Sequence, residues 1–197
     1  HLGADLEVIN LGTVAPPPAS QGVVDEQIAA GTANLARGPA MSPQQLLAAL
    51  AAGDRAAERA AEGGAQLLIG GEMGIGNTTS AAAVACALLG EPAQRLAGRG
   101  TGLGDQGLRH KIKVLETALS RHGESRDPRT VLASLGGFEI AALAGFFLGG
   151  AARRLPILVD GFIVSVAALA AVRLQPEVLA WLHFGHQSAE PGHAQVQ

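Results

Sequence analysis

A glycine-rich segment between a short apolar run and an alanine-rich stretch constrains the fold of this chain more than any other feature. Gln66–Ile69 predicts a strand, Gly70–Gly76 a tight turn, and Asn77–Leu89 a helix. In a strand, turn and helix of this kind, the backbone N–H groups and the helix dipole favour negative charge at the turn. The sequence therefore predicts a βα unit whose turn can bind an anion.

Further strands and helices alternate along the chain. Strands are predicted at Leu6–Leu11 and Pro156–Asp160. A helix starts at Ser42, because Ser42 can cap it, Pro43 fits its first turn and Gln45 can complete a capping box. Helices are predicted over residues 42–62, 105–122, 137–153 and 162–172, whereas residues 23–41 and 130–135 are ambiguous. This alternation predicts an α/β domain with a mainly parallel sheet.

Composition excludes several classes of function. The formal net charge of the 197 residues is −3 and Lys and Arg do not cluster, which argues against a nucleic-acid surface. Aromatic residues make up 3% and Tyr is absent, so base-stacking platforms are poor candidates. A single Cys rules out an intrachain disulfide framework and fits a cytoplasmic location. The segment His1–Asp5 has no signal-peptide features.

Residues 137–174 also allow a second interpretation, as two membrane spans joined by Arg153 and Arg154. Each half is near the lower length limit for a span. Glu139 in the first half and Asp160 in the second argue against it, because a carboxylate in lipid is costly. Polar residues after a buried strand are instead where α/β proteins place ligand contacts. We therefore expect no membrane association.

The glycine turn resembles a P-loop without its cation. Gly71, Gly76, Asn77 and Thr78 follow P-loop spacing, but Asn77 stands where the lysine is required. Without that cation, stabilisation of a transferring γ-phosphate is hard to explain, which disfavours a nucleoside triphosphatase. A site for one phosphate fits these donors better, and a simple tight turn is the competing interpretation.

Three ionisable residues lie at places where ligands bind. Glu72, inside the turn, is either a general base, a proton shuttle or a ribose-hydroxyl acceptor, or else a solvated loop residue or a cap for a neighbouring turn. Lys111 follows a second glycine-dense turn, Gly98–Gly104, and either neutralises a phosphate or lies on a solvated helix surface. Asp160 ends a buried strand and either contacts a ligand or belongs to a structural turn.

The remaining candidates carry weaker signals. His183, His186 and His193 lack an acidic partner at metal-ligand spacing, so they are interpreted as loop or core residues. Cys86 is expected to be a small buried apolar residue. No metal and no other cofactor is predicted.

Six motifs, taken together and in order, resemble one enzyme family. They are Gly31–Met41, Glu72–Ala83, Gly98–Leu103, Leu135–Gly145, Leu155–Phe162 and Ser188–Gly192. The family is that of the nicotinate-nucleotide–dimethylbenzimidazole phosphoribosyltransferases, which act in assembly of the cobalamin lower ligand. The resemblance implies a homodimeric, Rossmann-like α/β enzyme whose mainly parallel sheet has helices on both faces.

The resemblance also implies a reaction and its residues. Phosphoribose would pass from nicotinate mononucleotide to dimethylbenzimidazole, giving α-ribazole 5'-phosphate and nicotinate, without a cofactor. Glu72 would be a carboxylate near the reacting centre. The nucleotide phosphate and ribose would contact Gly74, Gly76, Asn77, Thr78, Gly100, Lys111 and Ser188, with Asp160 as a further substrate contact.

Departures from the family limit this expectation. Its members are longer at both ends, so residues 1–197 correspond to the core domain, and parts of a small domain are missing. An N-terminal segment that helps form the benzimidazole pocket is one such part, and the family's main base would lie beyond Gln197. Little turnover is therefore expected of this chain alone. The alternative function is a non-catalytic nucleotide-binding module on the same fold.

Overall fold

A computed structural model describes residues 3–15, 22–100, 102–188 and 190–197. In the described residues, five strands and eight α-helices follow each other along the chain, with one 3₁₀ helix. The strands are β1 (Val8–Asn10), β2 (Val23–Asp25), β3 (Leu68–Ile69), β4 (Ile157–Val159) and β5 (Leu182–Phe184). The helices are α1 (Pro43–Glu62), α2 (Thr78–Leu89), α3 (Ala93–Leu96), α4 (Asp105–His122), α5 (Pro128–Leu135), α6 (Phe138–Ala152), α7 (Phe162–Leu174), the 3₁₀ helix (Pro176–Trp181) and α8 (His193–Val196).

The strands form two parallel sheets, which confirms the predicted α/β class. Strand β1 pairs with β2, with Val8 opposite Val23. Strands β3, β4 and β5 form the second sheet in that order, with Leu68 opposite Ile157 and Ile157 opposite Leu182. Strands β2 and β5 were not predicted, and each is only three residues long. Such short strands leave too little alternation in the sequence to reveal them.

Helix α1 begins as the sequence predicts. The Ser42 hydroxyl accepts a hydrogen bond from the Gln45 N–H at 3.2 Å, and the Gln45 side chain accepts one from the Ser42 N–H at 2.8 Å. These two bonds form the predicted capping box. Helix α1 packs closely on α6 at glycines, since a Cβ at Gly53 would lie 1.8 Å from the Ala142 carbonyl oxygen.

The core lies between the alanine-rich helices and the second sheet. In α2, residues 81–85 are all at most 1% exposed, and Cys86 is buried beside them as expected. Residues 137–174, for which two membrane spans were the second interpretation, form α6 and α7. These helices have 15 and 13 residues and lie on either side of β4 in the chain. No helix in the described part of the chain is both long and apolar enough to cross a membrane.

Candidate functional site

The candidate site lies in loops that follow the strands of the second sheet. The glycine turn follows β3 and leads into α2, Asp160 follows β4, and Ser188 lies beyond β5. Because these strands are parallel, their carboxyl ends share one edge, the usual ligand-binding edge of an open α/β sheet. The topology therefore brings three predicted contact regions to the same edge.

In the first glycine turn, Glu72 closes the turn on itself. Its carboxylate accepts hydrogen bonds from the Gly74 N–H at 2.8 Å and from the Asn77 side-chain amide. Gly76 has a φ of +75°, in the left-handed region, and Gly74 and Gly76 are exposed. Asn77 precedes α2 but its side chain makes no cap there. The contacts of Glu72 are those of the turn-capping interpretation, and its turn presents exposed backbone beside the start of α2.

A second carboxylate near Asn77 was not recognised as a site residue from the sequence. Burial raises the pKa of Glu139 above its ordinary value, contact with the Asn77 amide lowers it, and the charge of Glu72 raises it. The Glu139 carboxylate lies against Gly137, where a Cβ would be 2.5 Å from both oxygens. Glu72 and Glu139 therefore approach Asn77 from two elements. The sequence feature that could have identified Glu139 as a site residue is its position within the Leu135–Gly145 motif.

Lys111 is buried, so the solvated-surface interpretation is wrong. Its side chain leaves α4 and is 5% exposed. The ammonium donates hydrogen bonds to the Thr78 hydroxyl at 2.8 Å and to the Gly98 carbonyl at 3.0 Å. Burial lowers the pKa of Lys111 below its ordinary value, and the negative charge of Glu190 opposes that shift. Three predicted regions, namely α2, the second glycine turn and α4, thus meet at one cation.

Glu190 connects the second glycine turn to the segment after β5. Its Oε1 accepts a hydrogen bond from the Gly100 N–H at 3.0 Å, and its own N–H donates to the Ser188 hydroxyl at 3.4 Å. Gly100 has a φ of +54° and lies against the Thr78 hydroxyl. Gly100, Lys111, Thr78 and Ser188 are thereby brought together in one cluster.

Asp160 lies at the edge of this cluster. It is exposed, and its Oδ1 lies 2.8 Å from the His186 Nδ1. The His186 ring in turn packs edge-on against His193, with centroids 5.9 Å apart. Among the described residues, Asp160 thus contacts the segment that carries Ser188.

His193 is a core histidine that holds the Ser188 backbone. It is 1% exposed, and its Nδ1 accepts a hydrogen bond from the Ser188 N–H at 2.7 Å. Its Nε2 lies 2.9 Å from the buried Ser165 hydroxyl. Burial lowers the pKa of His193 and the charge of His186 lowers it further, whereas Asp160 raises it. A neutral ring that accepts at Nδ1 carries its proton on Nε2 and donates it to Ser165.

His183 and His186, the other two histidines considered from the sequence, lie outside the core. His183 is exposed on β5, and His186 is exposed in the loop after it. Within the described ranges, no group of three His, Cys, Asp or Glu side chains is placed to hold a metal ion.

Comparisons with known proteins agree with this geometry. The family model described as a phosphoribosyltransferase matches residues 1–197. A nicotinate-nucleotide–dimethylbenzimidazole phosphoribosyltransferase of Pseudomonas putida is 58% identical over 194 residues, covering 98% of this chain and 55% of the relative. The enzyme of that name from Pseudomonas aeruginosa is 56% identical over 197 residues, covering 100% of this chain and 56% of the relative.

Solved structures show the same relationship. The crystal structure of CobT from Thermus thermophilus aligns with a TM-score of 0.93 at 45% identity, covering 96% of this chain and 57% of that one. A second structure from Thermus thermophilus, named as the nicotinate-nucleotide–dimethylbenzimidazole phosphoribosyltransferase, aligns with a TM-score of 0.90 at 43% identity. It covers 96% of this chain and 56% of the other.

This chain thus spans about half the length of the curated relatives it matches. The match runs through all the motifs that form the candidate site, because it includes residues 1–197. The agreement of the family model, the curated relatives and the solved structures establishes that this chain belongs to the family of nicotinate-nucleotide–dimethylbenzimidazole phosphoribosyltransferases.

Proposed function

We propose that residues 1–197 are the nucleotide-binding core of an enzyme that transfers phosphoribose from nicotinate mononucleotide to dimethylbenzimidazole. The products are α-ribazole 5'-phosphate and nicotinate, and the reaction belongs to cobalamin nucleotide-loop assembly. The observation that carries the proposal is the buried Lys111 ammonium, held between Thr78 and Gly98. A buried cation beside a glycine turn is suited to an anionic ester, because charge-assisted hydrogen bonds are strong where water is excluded.

The phosphate and ribose would contact both glycine turns. On one side the nucleotide would face the turn before α2, and on the other it would face the second turn, Lys111 and Ser188. In the proposal this set comprises Gly74, Gly76, Asn77, Thr78, Gly100, Lys111 and Ser188, with Asp160 as a further substrate contact. A monophosphate requires less positive charge than a triphosphate, so one lysine suffices without a second cation at position 77.

Anchoring the phosphate aligns the sugar for displacement. A ring nitrogen of dimethylbenzimidazole attacks the anomeric carbon from the face opposite nicotinate and forms the new C–N bond. The bond to nicotinate breaks, and its electron pair returns to the pyridinium nitrogen. The benzimidazole N–H proton passes to a carboxylate, for which we propose Glu72 within this chain. The leaving group is already cationic, so the step requires no metal.

A homodimer in the cytoplasm fits this proposal. Met73 and Ile75, at the tip of the first glycine turn, are 94% and 100% exposed, and Ile69 before them is 56% exposed. Apolar side chains this exposed, next to a candidate site, are suited to a protein surface that covers them. The chain has a single Cys, Cys86, and therefore no intrachain disulfide, which suits a reducing compartment.

Two measurements test the proposal. Titration calorimetry with nicotinate mononucleotide is expected to show binding that Lys111→Met weakens about a hundredfold. Incubation with dimethylbenzimidazole then tests whether nicotinate release accompanies formation of the riboside. Release with riboside supports the transferase, and binding without release supports a non-catalytic nucleotide-binding module. Absence of binding contradicts both.

A further inference from the structure

We propose that Glu190 is a positioning residue of the nucleotide site, whose carboxylate holds the second glycine turn in place beside Lys111 and Thr78. This inference rests on the proposed function, because it concerns how that nucleotide would be held. It assigns a role to a side chain that the reaction itself does not use.

The two carboxylate oxygens of Glu190 meet the turn in different ways. Oε1 accepts the Gly100 N–H at 3.0 Å. Oε2 is buried against Gly98, where a Cβ would come within 1.5 Å of it, and it has no hydrogen-bond partner among the described residues. A buried carboxylate oxygen without a partner destabilises the fold. The side chain is therefore better explained by what it does to the turn than by a gain in stability.

Lys111 is left available for a ligand by this arrangement. Two of its three N–H donors go to Thr78 and to the Gly98 carbonyl. Glu190 acts on the ammonium through its charge, and no direct ion pair between them occurs in the described part of the chain. The carboxylate thus aligns the turn that carries the Gly98 carbonyl, while a third N–H of Lys111 remains for an anion.

Glu190 is itself fixed from the core. Its N–H donates to the Ser188 hydroxyl, and the Ser188 N–H donates to His193 Nδ1. His193 is tied to Ser165, which is 0% exposed in α7. A chain of hydrogen bonds therefore runs from the core to the Gly100 amide. This rigid support is what a positioning side chain requires.

The test compares Glu190→Ala and Glu190→Gln with the unmodified chain and with Glu177→Ala, which removes an exposed carboxylate from the nearby 3₁₀ helix. Nicotinate mononucleotide affinity is measured by titration calorimetry. The Gly100 amide resonance is followed in ligand-free protein by ¹H–¹⁵N NMR. Glu190→Ala is expected to weaken binding about tenfold and to move the Gly100 amide proton upfield.

Glu190→Gln keeps an oxygen that can accept the Gly100 N–H, so it is expected to restore most of the affinity and an intermediate Gly100 shift. Because it removes a buried charge, its thermal midpoint should equal or exceed that of the unmodified chain. This variant keeps the test decisive if Glu190→Ala fails to fold.

Three results would overturn the proposal. The first is an unchanged Gly100 resonance in the variants. The second is tighter binding on loss of the carboxylate, which would mean that Glu190 competes with the nucleotide. The third is a loss of affinity in Glu177→Ala as large as that in Glu190→Ala. If the unmodified chain does not bind nicotinate mononucleotide, the proposed function fails, and the Gly100 resonance alone then supports or overturns the contact.

Discussion

The two glycine turns of the candidate site are held in opposite ways. In the first, Glu72 bonds the N–H of Gly74 and the side chain of Asn77, two and five residues away. In the second, the Gly100 N–H donates to Glu190, which is 90 residues away, and the Gly98 carbonyl accepts from Lys111, which lies on α4. The first turn is organised by its own sequence, and the second by the tertiary fold.

The two turns also differ in exposure. Met73 and Ile75 in the first turn are almost completely exposed, whereas Gly98 is buried and Lys111 is 5% exposed. Charge interactions are stronger where water is excluded, so a phosphate gains more from the second turn than from the first. We therefore expect the second turn to determine nucleotide affinity and the first to serve the reacting centre.

Replacing Lys111 should have the largest effect. Lys111→Met keeps the aliphatic stem but removes the ammonium, and should weaken nicotinate mononucleotide binding by about 3 kcal/mol, or a hundredfold. Lys113→Met on the same helix removes an exposed ammonium and serves as the control. Titration calorimetry gives both affinities. Equal affinities in the two variants would contradict the assignment of affinity to the second turn.

A methyl group at Gly98 should distort the second turn, because it would collide with the Glu190 carboxylate. Its Cβ would lie 1.5 Å from Glu190 Oε2, so Gly98→Ala must displace that carboxylate at a cost of about 1–3 kcal/mol in unfolding free energy. Nucleotide affinity should fall with it. Gly104→Ala is the matched control, because Gly104 has a φ of −70° and open space around its Cα. Denaturant unfolding would contradict the close contact if both variants were equally stable.

The way each turn is held explains what the sequence could predict. The βα unit around residues 66–89, the cap at Ser42 and the long helices depend on contacts between near neighbours, and the structure confirms them. The strand before the first turn is shorter than predicted, Leu68–Ile69, because pairing with β4 rather than residue type sets its length.

The buried state of Lys111 could not be predicted in this way. Its helix has a periodic apolar face, but only the approach of Thr78 and Gly98 removes Lys111 from solvent. Glu139 and Glu190 lie within the motifs of the family resemblance, but the sequence does not identify them as site residues because their partners lie on other elements. The family resemblance indicated that these segments belong to one site. Residue spacing alone left a purely structural alternative open for each segment.

Glu72→Gln tests the expectation that the first turn serves the reacting centre rather than nucleotide affinity. The amide keeps an oxygen for Gly74 but cannot take up a proton, so phosphoribose transfer should slow about tenfold or more. Nicotinate mononucleotide affinity should change by less than about threefold, since charge-assisted anchoring lies elsewhere. Nicotinate release and calorimetry measure the two quantities on the same variant. A larger loss of affinity than of rate would reverse the roles given to the two turns.

The smallest expected effect is on how the free energy of unfolding depends on pH, and it concerns the segment that supports the second turn. The folded state lowers the pKa of His193 below its ordinary 6.5. Between those two pKa values the unfolded chain therefore binds more protons than the folded chain. The stability that neutral His193 provides is complete above about pH 6.5 and declines as pH falls below it.

His193→Asn keeps an acceptor for the Ser188 N–H but cannot be protonated, so it should flatten this decline. His183→Asn, at an exposed position on β5, should leave it unchanged. Thermal unfolding measured from pH 7.5 to 5 compares the two variants with the unmodified chain. A decline that persists in His193→Asn would show that acid acts on the fold elsewhere. The acid-dependent loss of stability would then not be assigned to this imidazole.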